Sequence, residues 1–133
     1  KNRAYYNPGL DFINVPSIKN FPKKEEYYST LFHEAVHSTG HTSRLNREGV
    51  KDCAAAFGSQ VYSKEELVAE LGAAMLCAVT GIDNQTIDNS AAYIDSWLKA
   101  LKDDKTLIVK ASGLAQRACD YILGSTPEEA ETN

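Results

Sequence analysis

Tyr28, Leu31, Phe32, Ala35 and Val36 follow one another at spacings of 3, 1, 3 and 1, which predicts a helix from about Lys24 to Thr39 with Gly40 as its C-cap. The same period predicts a second helix over about residues 63–80, ending before Gly81. A third covers about residues 90–102, where Tyr93, Ile94, Trp97, Leu98 and Leu101 share a face. A fourth runs from about 106 to 123 and closes at Gly124. Alternation of period two is confined to the N-terminus. There Ala4-Tyr5-Tyr6 precedes the turn signal Asn7-Pro8-Gly9, and Asp11-Phe12-Ile13-Asn14-Val15 follows until Pro16 stops it. Two strands are marginal alone, so this hairpin must lean on a helix or pair with residues upstream. Residues 41–62 are polar and punctuated by glycine, an ordered surface loop with a short helix near Val50 to Phe57. The pattern reads as α+β, mostly α: one domain over residues 1–124, then an acidic, disordered tail at 125–133.

Composition narrows the class. A chain of 133 residues is long enough for one real core, and 43% apolar with 24% charged residues is ordinary for a soluble protein. The net charge of −4 and pI near 5.3 leave no phosphate-binding footprint, so no nucleic acid is expected to bind through this domain alone. Cys53, Cys77 and Cys119 are widely spaced and form no CxxC pair, which argues against a disulfide framework and for a reducing, cytoplasmic compartment. Cys77 and Cys119 fall in apolar helical patterns, as inert buried thiols do. No apolar run is long enough for a membrane span and no signal-peptide pattern opens the chain. Its first residue is Lys1, the mark of a segment of a longer gene product.

The chemistry is concentrated in His33-Glu34-Ala35-Val36-His37-Ser38-Thr39-Gly40-His41, which holds all three histidines. On a helix, positions i and i+4 share a face, so His33 and His37 can offer two imidazoles to one metal ion. Glu34 then stands beside the ion as the general base of a metal-activated water. A helix with two exposed histidines is the plain alternative, but the apolar, uncharged residues around the ligands suit a buried metal helix. Two histidines need a third ligand. Ser43 occupies the place six residues after His37 where another histidine would complete one known pattern. The second helix offers Glu66 and Glu70 on one face instead, and a carboxylate pair beside an apolar stripe needs a cation. Glu66 is the expected ligand and Glu70 the residue orienting a ligand histidine, with Glu70 as the alternative ligand. Glu65 points about 100° away. Ser63-x-x-Glu66 also fits a capping box, which would make Glu66 merely a helix-start residue. His41, Tyr62 and Arg44 are candidates for substrate contact or an oxyanion hole, although each also reads as an ordinary loop side chain. The ion expected is one divalent metal, zinc first, with manganese, iron or cobalt using the same atoms. The reaction expected is hydrolysis of a peptide bond in a peptide or protein substrate.

The run from Tyr28 to Arg47, the block Glu65-Glu66-Leu67-Val68-Ala69-Glu70-Leu71-Gly72-Ala73-Ala74, and Ser90 to Leu98 together resemble the C-terminal zincin-like domain of ArdC-type antirestriction proteins. The likeness covers most of residues 4–123. It implies a zincin-like fold and a gluzincin-like site of two histidines and a helix-borne glutamate. It also implies an extended strand near Asp11 to Val15 that can align a peptide. Family members carry an N-terminal single-stranded-DNA-binding domain, are often encoded on mobile elements, and are associated with protecting incoming DNA from restriction. That N-terminal domain is not within these residues, so DNA binding is not expected of this chain alone. Two other readings stand beside the peptidase: a metal-stabilised interaction module without turnover, and a helical interaction domain with no metal. An intact Glu34 favours the enzyme, because a purely structural site has no use for a base.

Overall fold

A computed structural model describes residues 3–51, 59–83 and 94–125. Its elements in chain order are strands β1 (Tyr5–Asn7) and β2 (Phe12–Asn14), a 3-10 turn at Ile18–Asn20, and helices α1 (Lys24–Thr39), α2 (Glu48–Lys51), α3 (Gln60–Thr80), α4 (Ile94–Asp103) and α5 (Leu107–Leu123). The mostly helical α+β class is thus as expected. The short helix expected near Val50 to Phe57 is seen as Glu48–Lys51, and its remainder lies outside the described residues. So do Ser90 to Tyr93 at the start of the third helix, and the tail beyond Ser125.

The strands pair antiparallel with Tyr5 opposite Asn14, Tyr6 opposite Ile13 and Asn7 opposite Phe12. Asn7 accepts a bond from the Leu10 amide at 2.9 Å, and Asp11 takes the left-handed conformation (φ 55°) that closes the turn. The hairpin leans on α1, as so small a sheet must. The Tyr6 hydroxyl donates to Asp11 at 2.7 Å, Arg44 pairs with the same carboxylate, and Arg44 Nε donates to the Ser38 carbonyl at 2.8 Å. Arg44 therefore ties the hairpin to the last turn of α1.

Helices α1, α3 and α5 enclose the core. Val36 faces Leu67, Val68 and Leu76 of α3, with Ala111, Ala115, Ala118 and Cys119 of α5 behind them. The alanine stripe on α5 lets that helix approach α3 closely, and Cys119 Sγ reaches the Gly72 carbonyl at 3.3 Å. The Trp97 indole donates to the Ser63 carbonyl at 3.1 Å and fastens α4 to α3. Gly72 of α3 lies directly against Val36 of α1. A Cβ there would lie 2.7 Å from Val36 Cγ2. Gly72→Ala is expected to destabilise the fold by about 1–2 kcal/mol, because overpacking outweighs the gain in helix propensity. A urea titration checks this, and an unchanged midpoint would contradict it.

Two helix ends differ from the sequence reading. The second long helix begins a turn early: Ser59 Oγ accepts from the Tyr62 amide at 3.2 Å, and Ser63 is buried inside the helix. The capping box at Ser63 is therefore absent, and the Glu66 carboxylate is directed elsewhere. Gly40 follows α1 in a right-handed conformation (φ −82°), so it is not needed for a left-handed cap. It is needed for room: a Cβ there would stand 2.5 Å from Val50 Cγ2 and 2.9 Å from Arg47 Nη2. Gly81 (φ 73°) and Gly124 (φ 74°) do close their helices in the left-handed conformation. Cys77 and Cys119 are free and buried, and burial pushes the Cys119 thiol up to about 11. Cys53 lies outside the described residues. No helix among those residues is long and apolar enough to cross a membrane.

Candidate metal centre

The buried face of α1 is not simply apolar. Beside Val36 it carries Ser29, Glu34 and Thr39, and it presents His33 and His37 to α3. Their positions four apart bring both rings to the same side, with centroids 4.8 Å apart. On the facing helix, Glu65, Glu66 and Glu70 meet them.

The pairing is specific atom by atom. His33 Nδ1 lies 2.7 Å from Glu70 Oε1, and His37 Nδ1 lies 2.8 Å from Glu65 Oε2. Ionised carboxylates only accept, so they assign the proton to Nδ1 in both rings and leave the two Nε2 lone pairs facing one place. Those Nε2 atoms are 3.2 Å apart. Glu66 faces both rings, with Oε2 3.1 Å from His33 Nε2 and Oε1 3.4 Å from His37 Nε2. Two ring lone pairs and a carboxylate at such distances repel unless a cation or protons lie among them. Donors bound about 2.0–2.1 Å from one tetrahedral ion lie about 3.3 Å from each other. The two Nε2 atoms stand near that spacing and each has a Glu66 oxygen at a similar distance, so the residues fit a divalent metal ion, with one ligand atom from each of the three within 4.8 Å of the others.

In the metal-free protein, protons take the place of the cation. Burial disfavours the His33 imidazolium, but the hydrogen bonds it donates to Glu66 and Glu70 outweigh it and raise its pKa to about 9. His37 is raised well above its ordinary value despite burial, by Glu65 and Glu66. Burial likewise pushes Glu66 up, yet the two histidines hold it well below the usual carboxylate range. A raised imidazole contributes stability that is complete below about 6.5 and lost as pH rises through about 9. A depressed carboxylate contributes stability present above about 4.5 and lost as pH falls. With a chelator present, the melting temperature is therefore expected to peak between about pH 4.5 and 6.5. Melts across the pH range check this; a plateau running unbroken to about pH 9 would contradict it.

The site opens into a cleft of about 530 Å³. Glu34, His33, His37, Glu65 and Glu66 form its floor, and Tyr62 and Val50 line another part. Another wall is formed by Arg3 and Ala4 with Tyr5 and Tyr6 of β1, so β1 borders the cleft rather than the segment Asp11 to Val15 suggested by resemblance. Of the three candidates for substrate contact, the structure brings only Tyr62 to the cleft. His41 Nδ1 is engaged by Ser43 at 2.8 Å, and Arg44 is committed to Asp11 and Ser38. Sequence reasoning missed Arg47 and gave Glu65 no part. Arg47 is buried and pairs with Glu65 through Nε at 2.9 Å and Nη2 at 3.0 Å. The signal available was Arg47 itself, bracketed by Gly40 and Gly49 at places where a Cβ would strike Arg47 or Glu65.

The chain is similar in sequence and fold to known proteins. Residues 1–114 match the model of a family described as zincin-like metallopeptidase. The crystal structure of the antirestriction ArdC protein from the R388 plasmid with Mn(II) bound superposes with a TM-score of 0.80 at 50% identity, over 90% of this chain and 43% of that one. Its metal-free form gives 0.77. A DNA primase TraC of Escherichia coli is 38% identical over 130 residues, 98% of this chain but 9% of the primase. The uncharacterized protein y4eC of Sinorhizobium fredii is 36% identical over 121 residues, 91% of this chain and 38% of that protein. The chain thus spans less than half the length of each of these relatives. A helix presenting His33, Glu34 and His37 to a glutamate-bearing helix, in a fold shared with these proteins, places the chain in the zincin-like metallopeptidase family.

Proposed function

We propose that residues 1–124 form a divalent-metal-dependent peptidase domain in which His33, His37 and Glu66 hold the ion and Glu34 is the general base. The supporting observation is the convergence of two Nε2 atoms, 3.2 Å apart, on the two oxygens of one carboxylate at 3.1 and 3.4 Å. When bound, the ion supplies a Lewis acid that acidifies water and polarises a carbonyl. Glu34, in the same cleft, takes the proton of the attacking water and delivers it to the leaving amine. Glu70 holds His33 through Nδ1, so that ring keeps its Nε2 lone pair directed at the ion. An extended peptide lies against β1, and Tyr62 faces the carbonyl oxygen as negative charge develops.

Zinc suits two imidazoles and a carboxylate and is the ion we assign, although manganese uses the same donors, as the Mn(II)-bound ArdC neighbour illustrates. The substrate is a peptide or protein. With a net charge of −4, this domain by itself is not expected to hold single-stranded DNA. Buried free thiols at Cys77 and Cys119 suit the cytoplasm. The relatives' names, a primase and an antirestriction protein, favour a second reading: a metal-stabilised interaction module without turnover. Incubating the zinc- or manganese-loaded chain with an unfolded protein, with and without chelator, separates the two. Ion-dependent cleavage supports the peptidase; a loaded chain that cleaves nothing supports the module.

A further inference from the structure

The two histidines are held differently. His33 is oriented by Glu70, whereas Glu65, which orients His37, is itself gripped by a buried guanidinium. Arg47 meets both oxygens of Glu65, and its remaining donors return to α1: Nη2 to the Val36 carbonyl at 2.6 Å and Nη1 to Thr39 Oγ1 at 2.7 Å. A closed circuit results, from the α1 backbone through Arg47 and Glu65 to the His37 ring on the same helix. Both ends of the pair are nearly sealed, with side-chain exposures of 5% for Arg47 and 8% for Glu65. The loop is shaped to fit it, since a Cβ on Gly49 would lie 2.5 Å from Glu65 Cβ.

We propose that Arg47 and Glu65 are a positioning pair for metal binding: Arg47 fixes Glu65, and Glu65 fixes the His37 ring with Nε2 aimed at the ion. This rests on the metal-site reading above. A bidentate guanidinium leaves a carboxylate no rotational freedom, and a carboxylate on Nδ1 fixes both the tautomer and the tilt of the ring. The alternative is a buried ion pair that only staples the loop to α3.

Co(II) is a suitable probe, because its visible absorption reports the geometry of its donors. Glu65→Gln keeps the shape and an acceptor but removes the charge; Arg47→Met removes the grip; Arg47→Lys restores charge without the fork. The expected result is Co(II) affinity weakened about 10- to 100-fold in Glu65→Gln and Arg47→Met, with a shifted spectrum, and intermediate values for Arg47→Lys. A stapling role would lower the melting temperature of the metal-free protein and leave affinity and spectrum of the folded fraction unchanged, which would overturn the proposal. If Arg47→Met does not fold, Glu65→Gln decides on the same readouts. Failure of the unaltered chain to bind Co(II) would overturn the metal-site reading and this proposal with it. Binding by the unaltered chain with unaffected variants overturns the pair alone.

Discussion

Glu34→Gln is expected to lower peptide hydrolysis by about 100- to 10,000-fold while leaving ion affinity nearly unchanged. Gln has the volume and the polar atoms of Glu but cannot take up a proton near neutral pH. The nitrogens and oxygens that converge on the ion site belong to His33, His37 and Glu66, so Glu34 contributes no donor there. It is nonetheless buried and lines the same cleft as His33, His37 and Glu66. The measurement pairs a metal titration with initial rates of cleavage. A variant that loses the ion would make Glu34 a ligand. One that keeps full activity would assign the proton transfer to another group.

The second large effect is expected at Glu66. Glu66→Ala should weaken divalent-ion binding by more than the roughly 10- to 100-fold typical of residues that only orient a ligand. Among the described residues, its carboxylate is the one with an oxygen within 3.4 Å of each Nε2 atom. Glu70→Gln should stay within that orienting range, because Gln can still accept from His33 Nδ1 through its carbonyl oxygen. Metal content after dialysis compares the two variants directly. Retention by Glu66→Ala with loss in Glu70→Gln would exchange the two roles.

Much of this architecture was legible in the chain because it depends on local period. Helix α1 follows from the spacing of Tyr28 to Val36, and the ends of α3 and α5 from Gly81 and Gly124. The convergence of His33, His37 and Glu66 was legible too, since i, i+4 spacing fixes one face of α1 and Glu66 lies on a helix able to face it. What local period does not encode is which polar residues become buried. Ser59 and Ser63 are equally good caps in isolation; in the fold Ser63 is buried within the helix with its carbonyl accepting from Trp97, and Ser59 is the cap. Arg44 and Arg47 look alike as loop cations, yet one anchors the hairpin through Asp11, 33 positions away, and the other is sealed against Glu65. Only the fold decides between those partners. Gly40 reads as a helix stop for the same reason, because its close neighbours Val50 and Arg47 are brought there by the loop.

The most direct test of the central claim is a crystal structure of the Mn(II)-loaded chain, with the ion located by its anomalous scattering. The expected result is one peak between the Nε2 atoms of His33 and His37 and the carboxylate of Glu66, with each Nδ1 still on its glutamate. A peak held by other residues, or none at saturating Mn(II), would contradict the account.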